Sequence, residues 1–186
     1  MTKKTARDAF LADCEPYFLD AVHTIAEFAR RTQEIVGEAV DRHRGPLFQA
    51  LGFPEDEVVR SDYSWPDKLQ KTKPTDGLEL GKRLKVSDRL DTVIYRYWEG
   101  EEKKAGICAW IRIKGDLEGF RKAIENVPFP ETDDLWDEEF ESGGVYYVWR
   151  VLKDSEIAQL ASKLDEFIEY YIHLLTEIGG VRKFLT

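Results

Sequence analysis

With 186 residues, the chain is long enough for one domain, or for one domain with a helical extension. Apolar residues make up 42% and aromatics 12%, enough for a core, which excludes wholesale disorder; the net charge of −9 disfavours non-specific nucleic-acid binding overall. The two cysteines, Cys14 and Cys108, form no CxxC pair, and no apolar run approaches the ~20 residues of a membrane span, so a reduced, soluble, cytoplasmic protein is expected.

Along the chain, Phe18, Val22, Ile25, Ala29, Thr32, Val36 and Ala39 recur in alternating steps of four and three. That spacing predicts a long amphipathic helix from Tyr17 to about His43. Pro16 suits its first turn, Gly45-Pro46 suits its end, and residues 5–14 read as a short preceding helix or arm. A short amphipathic piece, Leu47 to Leu51, leads into residues 52–76, which carry Pro54, Pro66 and Pro74 and read as a loop.

A run of strands is expected next, because apolar and polar residues alternate with a period of two. Leu78, Leu80, Leu84 and Val86 mark the first, residues 92–98 the second, and Ile107, Ala109, Ile111 and Ile113 one face of the third. Asp116 is placed to cap a helix through Asn126 with Leu117, Phe120 and Ile124 inward, and Val145 to Leu152 reads as the fourth strand. A C-terminal helix, capped by Asp154 or Ser155, carries Ile157, Leu160, Leu164, Phe167, Tyr171, Leu174 and Ile178 at heptad spacing. The expected fold is therefore α+β in the order α-β-β-β-α-β-α. A small antiparallel sheet of about four strands packs with two long helices from the chain ends. One domain spans residues 1–186, with a helical part at 1–52, a sheet with an inserted helix at 77–152 and the C-terminal helix at 154–178. The two heptad helices are expected to pack within one subunit, with an intermolecular helix pair, and so a homodimer, as the alternative.

No catalytic, metal or cofactor signature stands out. His23, His43 and His173 form no HxxxH or HExxH pattern, the serines lie outside any nucleophile motif, and no glycine-rich phosphate loop occurs. Metal-dependent nucleases need an acid and an acid-x-lysine converging on one ion. Asp67, Glu79 and Lys82 approach that pattern, but Glu-x-x-Lys puts its ends on opposite faces of a strand. Glu101 and Lys103 have the spacing but lie in a hairpin turn.

Two charged surfaces remain. If the aliphatic sets of the strands face the core, the opposite face carries Arg83, Lys85, Arg96, Arg112, Lys114 and Arg150 with Trp98, Trp110 and Tyr146. Bases interleaved with aromatics can hold an acidic peptide, a phosphate-bearing ligand or single-stranded nucleic acid; equally, antiparallel sheets leave one face wet as a matter of course. The second surface is residues 131–141, with seven acids and no base: Glu131, Asp133, Asp134, Asp137, Glu138, Glu139 and Glu141. Together with Phe129, Trp136 and Phe140 this acidic loop is a candidate mimic of nucleic-acid charge, or simply a solubilising loop. The leading expectation is a non-catalytic binding protein whose partner is another protein, one that itself binds nucleic acid being an option. A nuclease-like enzyme of nucleic-acid metabolism and a small-molecule sensor with a pocket between sheet and helices are the alternatives.

Overall fold

The structure, a computed structural model, describes residues 3–53, 59–64, 78–99, 104–128 and 135–186. Its first element, α1 (Lys3–Arg42), is one helix of 40 residues, a rod of ~60 Å. The expected break at Pro16 is absent. Proline removes one backbone donor and crowds the preceding turn, but here that cost does not end the helix. From Thr32 onward the predicted stripe is core: Thr32, Val36 and Ala39 are buried. At the end of α1, Arg42 grips Asp165 with two 2.9 Å hydrogen bonds and His43 Nε2 lies 3.0 Å from the same carboxylate. The chain then turns directly into α2 (Arg44–Leu51), with Pro46 in its first turn. Gly52 closes α2 at φ 81°, in the left-handed region, and its N–H reaches the carbonyls of Phe48 and Gln49.

The sheet has six strands where about four were expected. They are β1 (Val59–Ser64), β2 (Leu78–Lys85), β3 (Leu90–Glu99), β4 (Lys104–Ile113), β5 (Trp136–Glu141) and β6 (Val145–Val151). Their order is β1-β2-β3-β4-β6-β5, and every neighbouring pair is antiparallel. The two missed strands fall where sequence patterning was poor. β1 (VRSDYS) lies among prolines, and β5 (WDEEFE) hides its alternation of Trp136 and Phe140 with acids inside a charge run. Much of what read as an acidic loop is therefore an edge strand, and its carboxylates fit the usual protection of an edge against further pairing. Glu131, Asp133 and Asp134 lie outside the described residues, as do Phe129, Asp67 and residues 100–103.

Between β4 and β5, Asp116 caps α3 (Leu117–Glu125) by accepting the Gly119 N–H at 2.9 Å. Phe120 and Ile124 are buried, whereas Leu117 is exposed. The C-terminal helix is divided. α4 (Asp154–Ile157) ends at Ala158, and α5 (Leu160–Glu177) follows. The cap of α4 is not Asp154 or Ser155: Lys153 precedes the helix, and its N–H is met by the Glu156 carboxylate at 3.0 Å. Leu164, Phe167, Tyr171 and Leu174 are buried, as their spacing predicts.

The C-terminal half of α1 packs on β2 and β3, with α5 beside it over β4 and α2 against α5. All of this lies on one face of the sheet. The core fills the layer between, with Leu84, Ile94, Ile107, Ala109, Ile111 and Val148 from the strands meeting Val36, Leu164, Phe167 and Ile168 from the helices.

Candidate functional site

The strand register decides which side chains share a surface. Side chains alternate across a strand, and directly paired residues point to the same side of a sheet. One cross-strand row runs Leu80–Arg96–Ile107–Arg150–Trp136, and another runs Leu84–Thr92–Ile111–Tyr146–Phe140. Both belong to the helix-covered face. Arg96, Trp98, Tyr146 and Arg150 therefore do not join the other bases, and the expected single basic face is split in two. The parity of β3 and β6 misled for a physical reason. Both alternate sets in each strand are apolar or aromatic, Val93 and Tyr95 against Ile94 in β3, so the aliphatic rule cannot choose between them.

Inside the core face the two arginines differ. Arg150 donates to Glu156 Oε1 at 2.8 Å and approaches Glu166 at 3.8 Å, with its guanidinium 5.7 Å above the Trp136 ring. Burial works to raise the Glu156 pKa, but the Lys153 N–H and Arg150 outweigh it and hold the carboxyl below its ordinary value. Arg96 is 1% exposed, and its Nη1 has no acceptor among the described residues. It stacks 4.9 Å over Trp98, whose ring meets Phe28 edge-on at 5.2 Å. Burial pulls its pKa down to about 10, so it remains a cation at neutral pH. Tyr146 donates to Glu138 at 2.5 Å, and burial pushes its phenol far above the ordinary range. Thr92 spends its proton on the Trp110 carbonyl at 2.7 Å, so Tyr171 donates to Thr92 at 2.9 Å.

No described helix covers the opposite face, and three rows there follow one gradient. They run Lys85–Asp91–Arg112–Val145–Glu141, Arg83–Val93–Trp110–Tyr147–Glu139 and Gly81–Tyr95–Cys108–Trp149–Asp137. Bases stand at the β2 end, aromatics in the middle and acids along the β5 edge. Val93, Tyr95 and Cys108 are buried beneath Tyr97, Trp110, Tyr147 and Trp149, which are half-buried. Two glycines make room for tyrosines. A Cβ on Gly81 would come within 2.5 Å of the Tyr95 Cβ, and one on Gly106 within 2.5 Å of the Tyr97 ring.

At the basic end the surface hollows into a pocket of about 210 Å³ around the β2–β3 turn. It is lined by Arg83, Lys85, Arg89, Arg112 and Lys114 with Ser87, Asp88, Leu90 and Asp91. Four of the six bases singled out from sequence thus converge, and Arg89, which sequence reasoning missed, joins them. Asp91 forms the floor, its side chain 5% exposed. Arg83 Nε donates to its two oxygens at 3.0 and 3.1 Å, its Nη2 also donates there, and Arg112 Nη2 adds a bond of 2.8 Å. Arg89 Nη1 donates to the Leu185 carbonyl at 2.6 Å, Lys85 pairs loosely with Asp88 at 3.5 Å, and exposed Lys114 has no ion pair among the described residues. Among the described lining residues, five cations stand against two carboxylates.

The alternatives gain little from the geometry. Glu79 pairs with Tyr97 and Lys82 with Ile94, so these two face opposite sides of the sheet. Among the described residues no three His, Cys, Asp or Glu side chains gather as a metal site. His173 does have an acid one turn away, Glu177 at 3.8 Å, on an exposed surface. Among the described residues, packed side chains fill the layer between sheet and helices. A separate hollow of about 440 Å³ lies between α2 and the end of α5, lined by Gln49, Thr176 and glycines but by no charged group. The acidic segment loses its free aromatics: Trp136 stacks on Phe167 and Phe140 packs against Phe120 and Tyr146. No described helix is long and apolar enough to cross a membrane. No protein-family model, no curated protein and no solved structure matches this chain.

Cys108 is a packed thiol rather than a nucleophile. Burial pushes its pKa up to about 12 from an ordinary 9, against the opposing effect of a hydrogen bond with Tyr95. The folded state keeps a proton that the unfolded chain releases above pH 9. The resulting stability is fully present below pH 9 and is lost as the pH climbs towards 12. Above pH 9 the unfolding free energy from urea titrations is expected to fall with a slope of up to about 1.4 kcal/mol per pH unit from this thiol. Cys108→Val should remove that part of the slope. Identical pH profiles for the two proteins would show that Cys108 ionises as freely folded as unfolded.

Proposed function

We propose that the protein is a non-catalytic binding protein that seats an acidic segment of a partner protein in the basic pocket, with neighbouring apolar side chains of the partner on the aromatic strip beside it. One observation carries this reading: five cationic side chains from two hairpins meet around one hollow, and only one of the two lining acids lies in its floor. Like charges are not gathered without cost, and an incoming carboxylate relieves their repulsion with charge-assisted hydrogen bonds. The acids along β5 disfavour a long polyanion lying across the whole face, which favours a short acidic peptide over a nucleic-acid strand.

The test uses two probes of equal charge, a glutamate-rich peptide and a single-stranded oligonucleotide, titrated against the wild type and a Lys85→Glu/Lys114→Glu variant. Both lysines are exposed, so the fold should change by only about 0.5 kcal/mol. The peptide is expected to bind saturably, more weakly at raised salt, and more than about tenfold more weakly to the variant. Equal peptide binding by both proteins would refute the pocket. Tighter binding of the oligonucleotide would replace an acidic protein by nucleic acid as the partner.

A further inference from the structure

The open face of the sheet carries opposite charges on two strands placed symmetrically about its middle. In the order β2-β3-β4-β6-β5 the centre is β4, with β2 two strands to one side and β5 two strands to the other. Lys85 shares a cross-strand row with Glu141, and Arg83 shares the next with Glu139. Between these charges lie Trp110, Tyr147 and Trp149, an aromatic strip that is only half-buried. Glu139 and Glu141 are exposed and have no ion pair among the described residues, although Glu141 accepts a hydrogen bond from the Tyr147 hydroxyl. Protection of an edge calls for charge on β5, but not for acids standing level with the bases of β2.

We infer that this face packs on the same face of a second copy of the chain, making a two-fold dimer. The inference rests on the proposed role of the pocket and identifies the acidic segment seated there as β5 of the second copy. Three observations select this occupant. The first is the symmetry of the charge. Sheets packed face to face keep their strands roughly aligned, which leaves a two-fold axis either across the strands or along them. An axis across the strands lays bases on bases and acids on acids. An axis along β4 exchanges β2 with β5, so Lys85 faces Glu141 of the second copy and Arg83 faces Glu139, each contact occurring twice. Arg112 falls near the axis, but Asp91 already compensates its charge. Exposed charges farther apart than ~8 Å are screened at physiological ionic strength, so these contacts outweigh the repulsion between chains of net charge −9. The second observation is the middle of the face. The same rotation lays Trp110 on its own copy, Tyr147 over Val93 and Trp149 over Tyr95, with no acid or base among them. The third is area. From Glu79 to Lys85 the face runs ~23 Å along the strands and ~24 Å across five of them, giving ~550 Å² per copy. Two copies reach ~1,100 Å², above the ~1,000 Å² that a specific interface needs.

Sedimentation of the full chain over about a hundredfold concentration range tests this, with Lys85→Glu/Lys114→Glu and Glu139→Lys/Glu141→Lys as variants. All four residues are exposed, so circular dichroism should show both variants folded. The wild type is expected to reach twice 21.6 kDa. Each variant alone should associate more than about tenfold more weakly. An equimolar mixture of the two variants should dimerise again, because the reversed lysines of one chain face the reversed glutamates of the other while the native pairs stay matched. Neither a loss of stability nor a contact through another surface would give that rescue. A wild type that stays monomeric yet binds the glutamate-rich peptide overturns the inference and leaves the pocket reading intact, with another protein as the source of the acids. A monomer that binds no peptide refutes both. A dimer unaffected by either variant, or a mixture as weak as its parts, overturns the inference as well.

Discussion

Replacing both Arg83 and Arg112 by methionine is expected to cost about 3 kcal/mol, more than the two single replacements together. Removing the partners of a buried charge costs about 3–5 kcal/mol because the charge stays behind without compensation. The charge left behind here is Asp91, whose side chain is 5% exposed, whereas Arg83 and Arg112 are 36% and 43% exposed. The pocket above Asp91 admits water once the guanidinium groups are gone, which sets the cost at the lower end of that range. Either arginine alone still supplies Asp91 with a charged donor, so each single variant should lose only about 1 kcal/mol. Asp91→Asn in the double-variant background removes the stranded charge and should recover most of the loss. Chemical denaturation of the wild type and the four variants measures all of this. Additive single effects, or no recovery by Asp91→Asn, would show that Asp91 is not held by the pair.

The same cluster shows how far sequence could reach. The alternation in β2 and β4 is unambiguous, leucines against bases and isoleucines against Trp110 and Arg112, and for those strands the inward and outward sets were legible. In β3 and β6 it was not. Arg96 and Arg150 sit on the inward parity, a buried arginine looks in sequence like a surface arginine, and only the register with Ile107 separates them. Arg89 escaped notice because it belongs to the turn between β2 and β3, where strand parity says nothing; the pocket's chemistry depends on it nonetheless. The acidic segment failed in the opposite direction. Seven carboxylates drowned the weak alternation of Trp136 and Phe140, the two residues that fasten β5 to the core. The helical stripes were the clearest signal of all. Even so, spacing alone cannot tell that α1 buries its stripe from Thr32 and leaves it bare before Phe28, since the heptad continues unbroken across that boundary.

Phe167→Ala is expected to cost about 3–5 kcal/mol, the range for removing a buried aromatic ring. Phe167 is fully buried on α5, and its ring lies parallel to that of Trp136, 5.4 Å away with 4° between the planes. Trp136 also meets Tyr170 at 4.6 Å, so α5 presents two aromatic rings to the first residue of β5. Deleting the Phe167 ring therefore opens a cavity in the core and frees one side of the residue that anchors an edge strand. At its other inward positions β5 is held by Phe140, packed on Phe120 and Tyr146, and by Glu138, which accepts from Tyr146, all farther along the strand than Trp136, while its outward residues are all acids. The cost should accordingly be distributed unevenly. For a domain of this length each kcal/mol lowers the melting temperature by about 2–4 °C, giving a drop of about 6–20 °C. Amides of β5 should lose hydrogen-exchange protection by a larger factor than those of β3 and β4. Leu164→Ala, one turn earlier on the same stripe and equally buried, removes no ring from Trp136; its cost of about 2–5 kcal/mol should fall on the whole domain without singling out β5. Unchanged melting for Phe167→Ala would place the stripe outside the core. Uniform loss of protection in both variants would mean that Trp136 does not fasten β5 through this ring.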